Sequence, residues 1–359
     1  MIYLDYAGHT PPCEAALAAF CRAEREFGNA HARHAHGRGA AAALARITAG
    51  IAALVGAKAD EIVYTSGAGE GNFRAITGLA RAYRHVGRHV LTTAFAHPSE
   101  GSALAALAEQ GYEVGQVRIC PDGKLDLTHL AGAIRPDTVL FCVSAVDSEL
   151  GVVQNLGEIA AVMRAHPQVH WHIDAAQAMG KVALPDFSAL GASTMVFSSH
   201  KFYGVGGSGV LLRRSGVMLE GAYDGGTPAL GLAAACYAAL EVALREQATR
   251  TAQVAQLKET IVAALAQNPR VRINSPAGSS PHMLNLSIDG MRGTAVRDTL
   301  NAQGVCVSVK AACATENSPS RAVQAISDKK NALLSWRVSL SHLTTAQEIK
   351  AFLEILNKL

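Results

Sequence analysis

The stretch that decides the fold is Met195-Val196-Phe197-Ser198-Ser199-His200-Lys201, which leads into the glycine-rich run 204–209. It has the pattern of an apolar strand that ends in a turn carrying a lysine. Upstream, His170-Trp171-His172-Ile173 is a second apolar strand, and it ends on the carboxylate of Asp174. Because ligands of parallel sheets bind at the carboxyl ends of strands, we expect Lys201 and Asp174 to face one binding site.

A lysine and a carboxylate in this arrangement are what the cofactor pyridoxal phosphate (PLP) requires. The lysine amine forms a Schiff base with the aldehyde, and the carboxylate holds the charge on the pyridine nitrogen. The glycine-rich turn 65–70 follows a strand and opens a helix, where backbone N–H groups bind phosphate. Such a turn is a weak signal alone, but beside Lys201 and Asp174 it predicts the phosphate site, with Ser198 and His200 as further donors.

The composition argues against several other classes of protein. The chain has 359 residues and a net charge of +3, with its basic residues scattered, so nothing indicates nucleic-acid binding. No run approaches the roughly 18 consecutive apolar residues of a membrane span, and the first residues lack a signal-type stretch. Seven dispersed cysteines without a CxxC pair favour free thiols in the reducing cytoplasm.

Helix-like and strand-like patterns alternate through the first two thirds of the chain. Their alternation predicts an α/β fold, with a mostly parallel sheet that helices cover on both faces. Strands are predicted at 61–65, 89–93, 138–143 and 169–173, and helices at 39–55, 70–86, 99–110 and 155–166.

The last third has a different pattern. One long alanine-rich helical stretch, 228–267, precedes strands and helices that do not alternate strictly, which suggests a compact α+β domain. We therefore expect a large domain at 14–249 and a small domain at 250–359, with the amino-terminal segment 1–13 packing on the small domain. Residues 311–330 are expected to be the least structured segment.

Several single residues have both a functional and an ordinary interpretation. His97 follows a strand and is either a surface histidine or a ring that stacks on PLP and moves protons. Cys313 begins the least structured segment, where an exposed cysteine is a candidate nucleophile, whereas Cys142 and Cys236 are expected to be buried. Arg337 forms either a structural ion pair or a site for a carboxylate.

Histidines 31, 34 and 36 have spacings that fit zinc poorly, with no cysteine or carboxylate nearby. A solvated loop, or one that faces the active site, explains this group of histidines better. No metal site is therefore predicted.

The chain resembles the cysteine desulfurases of the NifS/IscS type, which are fold-type I PLP enzymes of the class V aminotransferase group. The resemblance extends over nearly the whole chain. It is carried by Tyr3-Leu4-Asp5-Tyr6, Phe27-Gly28-Asn29 with His34 and Gly37, 54–57, 61–70, His97, 149–154, 172–177, 198–204, Gly226-Thr227, Cys313, and 337–340 with Thr344-Thr345.

The resemblance implies a large domain on a mostly parallel seven-stranded sheet and a smaller carboxyl-terminal α+β domain. Lys201 is then the lysine that links PLP and later moves protons, and Cys313 is the nucleophile that takes the substrate sulfur as a persulfide. Further implied roles are a pyridine contact for Asp174, a phenolate contact for Gln177, ring stacking for His97, phosphate binding for Ala68, Gly69, Ser198, His200 and Thr227 of a second subunit, and carboxylate binding for Arg337 and Asn29.

The implied activity is conversion of L-cysteine into L-alanine by a cytoplasmic homodimer, which passes the sulfur to a protein or small-molecule acceptor. A C–S or selenocysteine lyase, or an aminotransferase of the same superfamily, is the alternative, and a non-enzymatic partner subunit is a remote one. The chain departs from the family pattern at Gly69, where a threonine is usual, at Asp147-Ser148, where an asparagine is usual, and in the short loop 223–226.

Overall fold

The computed structural model describes residues 1–221, 229–310 and 318–359. Its strands are β1 Ile2–Tyr3, β2 Ile62–Thr65, β3 His89–Thr93, β4 Glu113–Val117, β5 Thr138–Ser144, β6 His170–Asp174, β7 Thr194–Ser198, β8 Gly209–Arg213, β9 Val271–Ile273, β10 Met283–Ile288, β11 Val305–Cys306 and β12 Ser335–Ser339. Its α-helices are α1 Glu14–Arg25, α2 Ala35–Leu54, α3 Ala68–Ala82, α4 Pro98–Ala108, α5 Leu127–Ala133, α6 Leu156–Arg164, α7 Phe187–Leu190, α8 Leu230–Arg245, α9 Gln247–Leu265, α10 Gly293–Ala302, α11 Arg321–Ile326, α12 Lys329–Leu334 and α13 Ala346–Leu356.

The main sheet has seven strands in the order β2-β8-β7-β6-β5-β3-β4. Strand β8 is antiparallel to both of its neighbours, and the other neighbouring strands pair in parallel. The central strands β5, β6 and β7 are almost wholly buried, and β5 and β7 are mostly apolar, as expected of a parallel sheet covered on both faces. The predicted α/β fold with a mostly parallel seven-stranded sheet is confirmed.

The topology brings three strand ends to one edge of this sheet. Strands β6 and β7 are adjacent and parallel; β6 ends on Asp174, and β7 leads into a 3-10 helix, Ser199–Lys201. Strand β2 pairs antiparallel with β8, which in turn pairs antiparallel with β7, so β2 runs parallel to β7. The turn between β2 and α3 therefore lies beside the lysine-bearing 3-10 helix.

A second hydrophobic core lies between helices α9 and α13 and a three-stranded antiparallel sheet of order β12-β10-β9. Trp336 and Phe352 are fully buried in it. Strand β1 pairs in parallel with β11, and Leu4 belongs to the same core, so the amino-terminal strand packs with the last third of the chain. The division into domains at 14–249 and 250–359 stays a prediction.

The prediction that 311–330 is the least structured segment is wrong for its described part. Helix α11 lies within it, and α12 begins before it ends. The helices are short, and their stability comes from packing: Ala322 and Val323 lie in a small core with Phe95 and Leu150. These partners are distant in sequence, so local composition did not indicate the helices.

The long helical stretch predicted at 228–267 is two helices, since α8 ends at Arg245 and α9 begins at Gln247. Glu246 between them has φ −99° and ψ 1°, and its carboxylate pairs with Arg245 and Arg250. Across the described residues, no helix combines the length and apolar character needed to cross a membrane.

Candidate active site

A cavity of about 290 Å³ opens at the edge of the main sheet where β2, β6 and β7 end. Its walls include residues that lie next to each of the two hydrophobic cores. Residues predicted from the sequence that line it are Ala68, Gly69, His97, Asp174, Gln177, Ser198, His200, Lys201 and Arg337. Lys201 and Asp174 therefore line the same cavity, as the sequence predicted.

The turn between β2 and α3 lies against β7 and β8. Gly67 has φ +155°, and a Cβ on Gly209 would lie 2.7 Å from the Cα of Gly67, so the two backbones touch. The Ala68 N–H donates to Ser198 Oγ at 2.6 Å. The helix amino terminus is thereby fixed with its backbone N–H groups at the cavity, which is the arrangement that binds phosphate.

Asp174 is buried at the end of β6 and accepts two hydrogen bonds. Ala176 N donates to Oδ1 and Asn72 Nδ2 donates to Oδ2, both at 2.8 Å. Asn72 Oδ1 lies 2.7 Å from His172 Nε2, whose ring Nδ1 lies 2.8 Å from Thr194 Oγ1. Burial lowers the pKa of His172 to about 4, so its neutral ring donates from Nε2 and fixes the amide that supports Asp174.

His97 is the N-cap residue of α4, and its ring lines the cavity. Ser99 N donates to Nδ1 at 3.2 Å, and Ser99 Oγ lies 2.8 Å from the same atom. Ser99 Oγ also accepts from Asn72 Nδ2 at 2.9 Å, so one amide links His97 to Asp174. Burial lowers the pKa of His97, and Lys201 and Arg337 lower it further, while Asp174 raises it. A neutral, oriented ring is what stacking on a cofactor requires.

Lys201 and Gln177 both contact the amino-terminal segment. Lys201 Nζ donates to the carbonyl oxygens of Ala7 and Gly8, at 2.7 Å each, and Gln177 Nε2 donates to Ala7 O at 2.9 Å. His200 stacks on His9, with ring centroids 5.1 Å apart, and burial followed by Lys201 lowers the pKa of His200 to about 4. The catalytic lysine candidate is thus held by backbone oxygens that the sequence motifs did not indicate.

Arg337 lies in the middle of β12 and its side chain is only 3% exposed. Its NH2 group donates to Asp5 Oδ1 at 2.7 Å, and its NH1 group donates to Ser148 O at 2.6 Å. Its Nε is buried and has no hydrogen-bond partner within the described residues. The structure shows the ion pair, and a contact with a substrate carboxylate stays a prediction.

Other predicted residues lie elsewhere. Asn29 is exposed, its Oδ1 accepts from His31 N, and it is absent from the described lining of the cavity. Cys313 and Thr227 lie outside the described residues. His34 accepts from Gly37 N as the N-cap of α2, and the described ranges contain no group of histidines, cysteines or carboxylates suited to a metal ion. The prediction that Cys142 and Cys236 are buried is confirmed.

Sequence reasoning missed three polar residues that shape this site: Asn72, Ser99 and Lys181. Asn72 stands one helical turn after the glycine turn, so its position on α3 was a usable signal. Lys181 follows Gln177 by four residues, and its Nζ donates to Gln177 Oε1 at 3.0 Å. Asn72 and Lys181 are buried among residues distant in sequence, which local patterns do not indicate.

Glu100 was also missed, and it is a fully buried carboxyl behind His97. Its Oε2 accepts from His97 N at 2.8 Å and from Ser144 Oγ at 3.1 Å, while Oε1 has no partner in the described part of the chain. Burial and then the charge of Asp174 raise the pKa of Glu100 to about 8. The group is therefore neutral in the folded protein at pH 7.

Replacing Glu100 by glutamine is expected to stabilise the protein at pH 8 and not at pH 4.5. The folded state keeps the proton that the unfolded chain releases above about pH 4.5, so the wild-type free energy of unfolding falls between about pH 4.5 and pH 8. Glutamine does not titrate, so at pH 8 the free energy of unfolding of the variant should exceed that of the wild type by about 1 kcal/mol or more. Urea unfolding of both proteins across this pH range measures the difference.

Glu348→Gln is the matched control for this prediction. Glu348 has the same capping-box position at the start of α13 but is partly exposed. Its replacement by glutamine therefore removes no buried acid. An equal pH-dependent gain in Glu348→Gln, or none in Glu100→Gln, would contradict the assignment of a neutral acid behind His97.

A parallel sheet that brings a lysine, a buried aspartate and a helix amino terminus to one cavity defines the class of aminotransferase-like enzymes. The family model "Aminotransferase class-V" matches residues 2–352. Cysteine desulfurase IscS of Methylococcus capsulatus is 33% identical over 364 residues, covering 97% of this chain and 89% of that relative. The chain belongs to the class-V aminotransferase family, in the group that contains the NifS/IscS cysteine desulfurases.

Solved structures agree with this assignment. A NifS-like protein superposes with a TM-score of 0.92 at 24% identity, and the match covers 100% of both chains. SspA in complex with cysteine has a TM-score of 0.81 at 27% identity, over 96% of this chain and 100% of that one. The first similarity is one of fold, and the second adds a relative that holds cysteine.

Proposed function

We propose that the protein is a PLP-dependent cysteine desulfurase that converts L-cysteine into L-alanine and carries the sulfur as a persulfide on Cys313. One observation carries the proposal: Lys201 and Asp174 line the same cavity, from the ends of two adjacent parallel strands. Cysteine desulfurases at 33% identity over almost the whole chain support the choice within the family.

The residues of the cavity fit PLP. Ala68 and Gly69 at the start of α3, with Ser198 and His200, would hold the phosphate, and Asp174 would pair with the pyridine nitrogen. Gln177 donates one amide hydrogen to Ala7 O and has a second for the phenolate oxygen. When bound, PLP supplies the electron sink that weakens bonds at the substrate Cα and Cβ.

Proton movement is assigned to Lys201, whose Nζ is held at the cavity by Ala7 O and Gly8 O. His97 is held neutral and oriented, which suits a ring that packs on the cofactor and exchanges a proton with substrate. Glu100 and Asn72 act on this site through His97 and Asp174, so we class them as positioning residues.

Arg337 is the proposed contact for the substrate carboxylate. Guanidinium groups bind carboxylates through paired donors, and Arg337 lines the cavity. The NH2 group of Arg337 donates to the Asp5 carboxylate in this structure. A substrate carboxylate would therefore bind beside Asp5 or displace it from Arg337. Ser148 O on NH1 fixes the plane of the guanidinium. Asn29 is retained as a second contact only as a sequence-based proposal.

The sulfur transfer balances without an external oxidant. The Cβ–Sγ bond of the substrate breaks, Cβ gains a proton, and the sulfur forms an S–S bond with the Cys313 thiolate. An acceptor or a reducing thiol then removes the terminal sulfur. The same proposal includes a homodimer, in which Thr227 of the partner subunit contacts the phosphate. It also includes a cytoplasmic location. The described cysteines are all free thiols, as a reducing compartment favours.

Turnover of L-cysteine by the PLP-loaded protein tests the proposal. With a reducing thiol present, alanine and sulfide should form in equal amounts, and without it a protein persulfide should accumulate. Formation of pyruvate and ammonia with the sulfide would point to a lyase, and transfer of the amino group to a keto acid would point to an aminotransferase. Either outcome, or no turnover at all, would overturn the proposed activity.

A further inference from the structure

Lys181 is a second lysine behind the cavity, and it is only 5% exposed. It lies in the turn after β6, and its Nζ donates to Gln177 Oε1 at 3.0 Å. An ammonium group can only donate hydrogen bonds, so this contact decides which end of the Gln177 amide faces Lys181. The amide nitrogen is thereby directed toward Ala7 O, which it reaches at 2.9 Å.

The two lysines are joined through this amide. Ala7 O accepts from both Gln177 Nε2 and Lys201 Nζ, so Lys181, Gln177, Ala7 and Lys201 form one continuous set of hydrogen bonds. Each step has a distance between 2.7 and 3.0 Å. A substitution at Lys181 therefore acts on the Lys201 amine through hydrogen bonds, although Lys181 itself is absent from the described lining of the cavity.

The surroundings of Lys181 are positively charged. In the described ranges, the charged groups that act on its pKa are Lys201 and Arg337, and neither is acidic. Burial lowers the pKa of Lys181 to about 7, and Lys201 and Arg337 lower it further. Like charges disfavour each other's protonation, so a charge on Lys181 also makes protonation of the Lys201 nitrogen less favourable.

We propose that Lys181 is a positioning residue that fixes the amide of Gln177 and, in its protonated form, places a second positive charge beside Lys201. The purely structural alternative is that Lys181 only joins the turn after β6 to α9, because its carbonyl oxygen accepts from Thr251 Oγ1 at 3.1 Å. The proposal rests on the proposed function in one respect: the nitrogen that Lys181 influences is the one that links PLP.

Absorbance titration of the PLP-loaded protein tests the proposal in Lys181→Met, Lys181→Gln and Lys181→Arg. Loss of the neighbouring positive charge favours the protonated form at Lys201, so the midpoint should rise by about 0.5 to 1 pH unit in the methionine and glutamine variants. Arginine keeps the charge and should leave the midpoint near that of the wild type. Glutamine keeps a donor for Gln177, so it decides the outcome if the methionine variant fails to fold.

Lys258→Met is the matched control. Lys258 is also mostly buried and donates to Ser280 O at 3.0 Å, but it is absent from the described residues around the cavity. Its loss should not move the midpoint. Folded Lys181→Met and Lys181→Gln proteins that titrate like the wild type would overturn the proposal, and so would an equal shift in Lys258→Met.

A failure of the proposed reaction is recognised by its products and leaves this titration valid, whereas a failure to bind PLP is recognised because the wild type would show no cofactor absorbance band. In that case the comparison is made on the Lys201 amine itself, through the pH dependence of its reductive methylation, read by mass spectrometry. The midpoint should again be higher in Lys181→Gln than in the wild type. An unshifted midpoint in this second measurement would overturn the role of Lys181 regardless of the cofactor.

Discussion

Lys201→Ala is expected to lose L-cysteine turnover by about 10²–10⁴-fold or more, because the variant lacks both the covalent link to PLP and the group that moves the proton. The visible absorbance of the linked cofactor should disappear, and PLP should be removable by dialysis. Measurement of alanine and sulfide, together with the absorbance spectrum before and after dialysis, checks both parts of this expectation.

Two further measurements distinguish loss of the cofactor link from a general loss of folding. The Lys201→Ala protein should unfold at a denaturant concentration close to that of the wild type, because the lysine is only partly buried and contributes no large apolar surface. Lys258→Ala changes a lysine away from the cavity and should keep the absorbance band. Retention of a dialysis-resistant band in Lys201→Ala would contradict the assignment of this lysine.

Cys313→Ala is expected to reduce sulfur transfer at least about 100-fold while leaving the cofactor absorbance intact. The thiolate takes the sulfur in the proposed reaction, but it has no part in holding PLP. Sulfide release in the presence of a reducing thiol, and mass spectrometry of the protein after exposure to L-cysteine, check the loss of turnover and the absence of a persulfide.

Cys306→Ala is the control for that experiment. Cys306 lies in β11, close in sequence to the proposed nucleophile, and it pairs with Tyr3 in the two-stranded sheet. Its replacement should leave persulfide formation unchanged. Sulfide release that persists at the wild-type rate in Cys313→Ala would identify a lyase and remove the desulfurase assignment, while the PLP site would stand.

The lysine and aspartate were predictable because each lies at, or within three residues of, the end of a short buried strand. Strand β6 was expected at 169–173 and is His170–Asp174, and the lysine is the third residue after β7. Strands of this kind are recognised from local composition, and the rule that ligands bind at their carboxyl ends gave the site. The fold and the main cavity therefore followed from a few short segments.

Other features depended on contacts that sequence patterns do not record. Asn72 has the pattern of an ordinary polar residue on α3, but it is fully buried and bonded to Ser99 of α4 and to His172 and Asp174 of β6. Glu100 has the appearance of a normal capping residue, and only its burial next to Asp174 gives it an unusual pKa. The helices at 321–326 and 329–334 likewise form because of packing against Phe95 and Leu150.

The first ten residues tie the two cores to the reacting amine. Leu4 N donates to Cys306 O, Ser339 N donates to Leu4 O, and three residues later Ala7 O holds Lys201. The amino-terminal segment therefore connects the carboxyl-terminal core to the Lys201 nitrogen through hydrogen bonds. A deletion within the first ten residues is therefore expected to disturb both the packing of the carboxyl-terminal core and the position of Lys201.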